Sequence, residues 1–430
     1  MTTIHMPPKF QPGTEWDSAD ALKHQVSLYA ISEGFPTYIQ RRSKTQFDMR
    51  CKNEGCTWRV YASRYDEPCF VVKILVDEHK NCPGVGLKNI AADSHFIANI
   101  VKAKLKEKPD YAPSEIRQDI NRDFRVNVSY DQAFRAKQKA TNDINGTPEE
   151  GYAKLPEYLE NLCTANPGSF ISFETTGEGA ETRFKRLFIS FAASATGFTR
   201  CKPLLGLDGT HLRSKYGGIL LAATALDARG CIFPYAIAVV NAENDENWDW
   251  FLRNVHNILE IHPPSNINTL EDLTFLSDRQ KGLLEAVGTW FPGSPHGWCL
   301  RHLVENLKTK FKHPKLAELL WKAARATTVA DFDDVLCQMC EINSQCVIWL
   351  EANAHPRHWA TVYFRGHRWG HLTSNISESL NFMLNKARDL PCQPMLEIIR
   401  ETMMDKWTEG REYAAKHQDL LLVIEVNSLF

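Results

Sequence analysis

Two aspartates in this chain each close a short apolar run. Leu205-Gly-Leu-Asp208-Gly-Thr-His211 follows Pro203 and Leu204, and Leu273-Thr-Phe-Leu-Ser-Asp278 repeats the pattern 70 residues later. Gly209 lets the backbone turn directly after the first acid. Two strands that lie side by side would bring these carboxylates together, and paired carboxylates hold hard divalent cations such as Mg²⁺ or Mn²⁺, whose chemistry is on phosphate. A second constellation is soft rather than hard. Cys51, Cys56, His79 and Cys82 follow the spacing C-x4-C-x22-H-x2-C, two close ligand pairs with room for two strands between them. That arrangement suits a tetrahedral structural Zn²⁺, with Cys69 as a lesser alternative ligand. Small sheets rarely hold together without such a staple.

The elements that must position these groups can be read in chain order. Trp16, Ala21, Leu22, Val26, Leu28 and Tyr29 predict one amphipathic helix, stopped at Gly34-Phe-Pro36. Basic β-like text follows around Tyr38–Lys44, Phe47–Arg50, Trp58–Tyr61 and Phe70–Val76, with Arg41, Arg42, Lys44 and Arg59 as candidate DNA contacts. From 91 to 145 the pattern is helical. Ser129 and Gln132 form a capping-box pair, and Arg135 and Lys139 stand one turn apart on the last helix. The last two helices are compatible with a helix-turn-helix that presents Arg135 and Lys139 to DNA, and equally with a plain helical connector. Asn145-Gly-Thr-Pro-Glu-Glu150 reads as the linker.

Two alternating strands are expected near 169–175 and 182–189. The central unit then reads as strands at 203–208, 219–227 and 231–240, a helix at 247–260, a strand at 273–278 and a helix at 280–290. This is the order of a ribonuclease-H-like sheet with Asp208 on its first strand and Asp278 on its fourth. Trp248, Trp250, Phe251 and Leu252 are the core face of their helix. His296-Gly-Trp-Cys299-Leu-Arg-His302 closes another strand, and helical, aromatic text runs from 303 to 370. Cys299 and His302 have a metal-like spacing but make only two ligands, so a structural contact near the acids is expected. Cys337, Cys340 and Cys346 are read as helix-face cysteines.

The 430 residues imply two or three domains, and 43% hydrophobic with 24% charged residues exclude a disordered chain. The net charge is −2, but residues 1–140 hold 22 Lys and Arg against 17 Asp and Glu, so the basic excess is N-terminal. The sequence shows no signal-peptide pattern. Gly218–Val240, its longest apolar region, is broken by Asp227 and Arg229 and reads as a hairpin rather than a membrane span. Twelve cysteines then point to a reducing compartment.

Five motifs occur in an order that resembles the Mutator-like element (MULE) transposases: Leu-Asp208-Gly-Thr-His211, Asn247-Trp-Asp-Trp-Phe251-Leu, Ser277-Asp278-Arg-Gln-Lys-Gly282, Cys299-x-x-His302 with Leu303 and Asn306, and Ser374-Asn-x-x-Glu378-Ser-x-Asn381. The zinc pattern resembles the far-red-impaired-response and MuDR type of DNA-binding domain, related to the WRKY and glial-cells-missing fingers. The resemblance covers roughly residues 15–390. It implies an α/β fold: a ribonuclease-H-like DDE catalytic core with an α-helical insertion, preceded by a small β-rich zinc-binding domain and a helix-turn-helix-like segment. The domains would be 15–90 (zinc), 91–145 (helical), 146–200 (connector and start of the catalytic domain), 201–390 (catalytic, insertion 303–370) and 391–430 (helical tail).

By matching positions, Asp208, Asp278 and Glu378 would be the catalytic triad and the ligands of two Mg²⁺ or Mn²⁺ ions ~4 Å apart, with Glu305 and Glu351 as fallbacks for the third acid. Asn375-x-x-Glu378 also resembles a capping box. His211, Cys299 and His302 are motif residues without an assigned role. The implied partners are double-stranded DNA, as terminal inverted repeats and target, and a second copy of the chain, with no membrane and a nuclear location. Such proteins commonly continue into a SWIM-type finger, C-x-C then H-x-H, and the sequence reaches Phe430 without one; a truncated or host-derived copy is expected. The competing reading is a domesticated transcription regulator that keeps DNA binding without catalysis. A nuclease acting on RNA in hybrids is the weaker third.

Overall fold

A computed structural model describes residues 11–64, 68–82, 93–124 and 126–416. The chain divides into two compact units, 1–147 and 148–430.

In the first unit β1 (Glu15–Trp16), β2 (Thr37–Arg42), β3 (Gln46–Cys51), β4 (Arg59–Ser63) and β5 (Phe70–Val76) form an antiparallel sheet in the order β1-β5-β4-β3-β2. Helix α1 (Ala19–Ser32) starts where the Ser18 side chain accepts from the Ala21 N–H. It buries Leu22, Val26 and Ala30 against Phe47, Val60 and Trp58 of the sheet region. Three further helices follow: α2 (Ser94–Glu107), α3 (Pro113–Phe124) and α4 (Tyr130–Asn145). The Ser129–Gln132 capping box is formed as expected: the Ser129 hydroxyl accepts from the Gln132 N–H and the Gln132 carboxamide from the Ser129 N–H. The three helices share one core through Val101, Leu105, Ile116, Ile120, Ala133 and Ala136. Gly146, at φ +82°, ends α4 immediately before the unit boundary.

The second unit opens with α5 (Pro148–Ala153) and α6 (Leu155–Ala165), then β6 (Phe170–Thr176), β7 (Arg183–Ser190), α7 (Ala192–Phe198), β8 (Lys202–His211), β9 (Ile219–Leu226), β10 (Ile232–Val240), α8 (Asp245–Ile261), β11 (Thr274–Ser277), α9 (Lys281–Trp290) and β12 (His296–Trp298). The seven strands make one sheet, β12-β11-β8-β9-β10-β7-β6, in which β8, β11 and β12 run parallel and the other pairs antiparallel. β6 and β7, expected in the stretch of connector and start of the catalytic domain, extend this sheet at one edge, so the Asp208 strand is its third in chain order. β9 is buried along all eight residues, as a central strand covered on both faces must be. Its alternation assigns the faces: Leu221 and Ala223 pack with Trp248, Phe251 and Leu283 of α8 and α9, whereas Leu220 and Ala222 pack with Leu159 of α6 and with Leu380, Leu396 and Ile399 further on. Trp248, Trp250, Phe251 and Leu252 are all buried, as their helical spacing predicts.

After β12 the chain leaves the sheet for α10 (Leu300–Phe311), α11 (Pro314–Arg325) and α12 (Val329–Asn353), which is broken at Asn343. These helices have their own core, including Leu303, Leu320, Phe332 and Trp359. Cys337 and Cys340 are exposed and Cys346 is buried. The chain returns as α13 (Asn375–Met383), and α14 (Cys392–Lys416), the last described element, lies on the sheet through Leu396, Ile399 and Met403.

The seating of α13 depends on Gly206. A Cβ at that position would meet the Ser377 hydroxyl at 2.6 Å and Ile376 Cβ at 3.5 Å, and Ser377 is fully buried. Gly206→Ala is therefore expected to destabilise the second unit by about 1–3 kcal/mol, with partial recovery in Gly206→Ala/Ser377→Gly. Denaturant melts of the four members of that cycle measure it; equal losses in the single and double variants would show that the contact is not the cause.

Candidate active site and metal centre

Register brings the two aspartates together. β11 pairs with β8 so that Leu276 faces Gly206, and two residues further along each chain stand Asp208, inside β8, and Asp278, the residue that follows β11. The turn expected at Gly209 does not occur, because β8 stays paired with β9 as far as His211. The Asp208 carboxylate is raised to about 7. Burial is the main cause, and repulsion from Asp278 is the next. The Gly209 N–H and the nearby His302 act in the opposite direction, and Glu243 adds to the rise. Asp278 shapes its own turn, accepting from the Gln280 N–H at 3.0 Å, while Gln280 caps α9.

Glu243 is the residue that sequence reasoning missed. It lies between β10 and α8, and its carboxylate stands over Gly209 so closely that a Cβ there would approach it to 3.0–3.1 Å. The Trp248 indole N–H donates to it at 3.1 Å. Burial raises its pKa, the Trp248 bond opposes that rise, and Asp278 adds to it. Asp208, Asp278 and Glu243 thus form one electrostatic group. The only sequence signal was Gly209 itself, a small residue beside an acid, and nothing in its spacing names the partner.

Helix α13 meets this group through Asn381, whose Nδ2 donates to Asp208 Oδ2 at 2.7 Å. The Oδ1 of Asn381 is buried without a hydrogen-bond partner. Glu378, one turn earlier, is ion-paired with Arg301 of α10 and accepts from the Ser374 hydroxyl at 3.3 Å. The capping box suggested for Asn375 does not form: Ser374 is the N-cap and makes no side-chain cap bond. Glu305 pairs with Lys308, and Glu351 is exposed on α12.

Cys299 and His302 act as a pair. Burial works to raise the Cys299 thiol, yet bonds from His302 and from the Ser374 hydroxyl (3.2 Å) and N–H (3.3 Å) bring it down to about 6. The same contact raises the His302 pKa, with Asp278 and Asp208 contributing. The Cys299–His302 contact therefore favours the protonated imidazole beside the Asp278 and Asp208 carboxylates. His211 is exposed at the end of β8, and its carbonyl accepts from Arg388 at 2.7 and 2.9 Å.

A pH dependence follows. Between its ordinary value and about 7, Asp208 keeps in the folded chain a proton that the unfolded chain has lost. Stability from this group is therefore greatest below the ordinary carboxylate range and falls as pH rises through about 7. In metal-free buffer the second unit is expected to melt at lower temperature at pH 8 than at pH 5.5, with Asp208→Asn reducing the slope. An unchanged slope in that variant would assign the dependence to other groups.

In the first unit the four soft ligands converge. One donor atom each from Cys51, Cys56, His79 and Cys82 lies within 4.8 Å of the others, the one such His/Cys/Asp/Glu group among the described residues. Cys51 Sγ is 3.8 Å from Cys82 Sγ, and Cys56 Sγ is 3.1 Å from His79 Nδ1. Asn53 Nδ2 donates to Cys82 Sγ at 2.8 Å. Gly55 and Asn81 take positive φ, +75° and +53°, turning the two ligand loops toward each other. Phe35 and Trp58 pack on the His79 ring. Three sulfurs and one imidazole at this spacing fit Zn²⁺; Cys69 is outside the group.

The basic candidates separate. Arg41, Arg42 and Lys44 are exposed on or beside the edge strand β2, with Arg42 in a 2.8 Å bidentate pair with Asp20. Arg59 is instead held against buried Asp48 at 2.8 and 3.1 Å, together with Arg50. Arg135 and Lys139 are exposed on α4. On α2, Lys102, Lys104 and Lys108 pair with Asp143, Asp119 and Glu115 within the bundle.

Two regions of the chain match transposase families: residues 204–306 match the MULE transposase domain, and residues 9–71 the MuDR family transposase. The first region spans the Asp208, Asp278 and Cys299/His302 motifs, and the second includes two of the four Cys/His residues, Cys51 and Cys56. It is 21% identical over 359 residues to PKS-NRPS hybrid synthetase cheA of Chaetomium globosum, covering 75% of this chain and 7% of that protein. It is 23% identical over 239 residues to Protein FAR1-RELATED SEQUENCE 5 of Arabidopsis thaliana, covering 53% of this chain and 29% of that protein. With Protein FAR-RED IMPAIRED RESPONSE 1 of the same plant the figures are 24% over 252 residues, 55% and 29%. The chain spans less than a third of the length of each of these relatives. Among the described residues no helix is long and apolar enough to cross a membrane.

Proposed function

We propose that this chain is a DNA transposase: the zinc unit binds element-end DNA, and the second unit cuts and joins strands with Asp208, Asp278 and Glu378. The observation that carries the reading is the strand order β12-β11-β8-β9-β10, with Asp208 in β8 and Asp278 just past the adjacent parallel strand β11. That order supports a ribonuclease-H-like core, and α10–α12 occupy the place of an insertion before the third acid. Mg²⁺ or Mn²⁺, when bound, would supply the Lewis acid for in-line attack of water and then of a 3′-hydroxyl on phosphorus. Asp208 and Asp278 would hold the ions, and Asn381 orients the Asp208 carboxylate. Glu378 joins them on leaving Arg301, whose guanidinium is then available to a DNA phosphate. The protein acts in the nucleus as an assembly that holds two DNA ends.

Divalent-ion binding tests the site directly. Mn²⁺ titrated into zinc-loaded protein and followed by electron paramagnetic resonance is expected to bind in the wild type and to lose its tight site in Asp208→Asn. Binding unaffected by that change would place the ions elsewhere.

A second reading, a DNA-binding regulator without catalysis, draws on two observations. Glu378 is engaged by Arg301 and Ser374, and one relative is named for an impaired far-red response and another as FAR1-related, neither for transposition.

A further inference from the structure

Phe382 is 83% exposed, more than any other large hydrophobic side chain among the described residues. It stands on α13, which turns Ile376, Ser377, Leu380 and Asn381 inward. Glu378 and Phe382 are four residues apart and share the outward flank, and the intervening Asn381 holds Asp208. The ring therefore projects from the same turn of helix that borders the carboxylates. Cations lie at the C-terminal end of this helix. Arg213 donates to the Asn385 carbonyl at 2.7 Å and to Asp389, Arg388 donates to the His211 carbonyl, and Lys386 is exposed.

An aromatic ring kept in water on a helix whose inner face binds Asp208 and whose C-terminal end is met by the Arg213 guanidinium suits a ligand that is both flat and polyanionic. A protein partner would need apolar surface around the ring, and the neighbours of Phe382 on its outward flank are Asn375, Glu378 and Ser379. Unpaired nucleic acid satisfies both demands, because each base offers a face for stacking and each phosphate a charge. We propose that Phe382 stacks on an unpaired base of the DNA strand held at the active site, with Arg213 and Arg388 meeting the adjoining phosphates. This rests on the transposase reading and adds to it that the DNA is locally opened beside the cut.

The test uses the full chain in Ca²⁺ buffer with two probes, a fully paired duplex and the same duplex with a forked end carrying 2-aminopurine. The expected result is tighter binding of the fork by the wild type, with quenching of 2-aminopurine. Phe382→Ala should lower fork affinity about tenfold and lose the quench, in the range set by base–aromatic stacking. It should leave the paired duplex unaffected, while Phe382→Trp keeps both signals. Equal affinity of the wild type for fork and duplex, or an unchanged fork signal in Phe382→Ala, overturns the proposal. So does a Phe382→Ala protein altered only in self-association, which would make the ring a protein contact. Cleavage in Mg²⁺ separates this from the reading beneath it: quenching without any cleavage leaves the stack standing and sinks the catalytic reading, whereas cleavage without quenching does the reverse.

Discussion

Asp208→Asn is expected to lower metal-dependent DNA cleavage by on the order of a thousandfold or more while leaving duplex affinity within about twofold, since duplex affinity comes mainly from phosphate contacts made elsewhere. The substitution keeps the shape of the side chain and its place beside Asn381, and removes only the charge that a divalent ion needs. Burial, and after it repulsion from Asp278 and Glu243, pushes the Asp208 carboxyl up to about 7; a neutral side chain escapes both costs, so the variant should be at least as stable as the wild type in metal-free buffer. A loss of cleavage therefore cannot be ascribed to unfolding if the melting temperature is unchanged or higher. Gel assays of nicking and of binding on one preparation give both numbers. Cleavage retained to within tenfold would remove Asp208 from the catalytic role.

Removing zinc is the second large effect. A structural zinc site contributes about 10–16 kcal/mol of folding free energy in small fingers, more than a sheet of five short strands can lose. Burial pushes the Cys51 thiol up to about 12 and lowers the His79 pKa; without a cation, the pocket opposes the thiolate that it needs. Chelation, or Cys56→Ser, is expected to abolish the thermal transition of the first unit and to weaken DNA binding at least about a hundredfold. The transition of the second unit should remain. Differential scanning calorimetry with and without chelator checks the first statement and filter binding the second. A first unit that melts normally without metal would make the four ligands a coincidence of packing.

Legibility in the sequence followed the range of the forces involved. Alternation and turn residues placed β8, β9, β10 and β11 within a residue or two at most ends, because each strand's two faces are coded locally. Ser129 and Gln132 announced their capping box for the same reason. The cluster of Cys51, Cys56, His79 and Cys82 was legible because metal chemistry restricts residue type as well as spacing. What could not be read depends on contacts between distant segments. Glu243 over Gly209, Asn381 against Asp208, the Glu378–Arg301 pair and the Arg59–Asp48 pair are settled by how elements pack. The role of α14 was missed because an apolar helical stripe does not say which surface it covers, and β6 and β7 were expected as strands at the start of the catalytic domain but not as the edge of its sheet, because pairing partners are not written in a strand's own pattern.

The catalytic claim is tested most directly by incubating the zinc-loaded full chain with supercoiled DNA in Mg²⁺, Mn²⁺ or Ca²⁺ and examining the ends produced. The account predicts nicked circles carrying free 3′-hydroxyl ends in Mg²⁺ and Mn²⁺, none in Ca²⁺, and none from Asp208→Asn or Asp278→Asn. DNA that is bound in all three buffers and cut in none would contradict it and leave the chain a DNA-binding protein built on an unused catalytic scaffold.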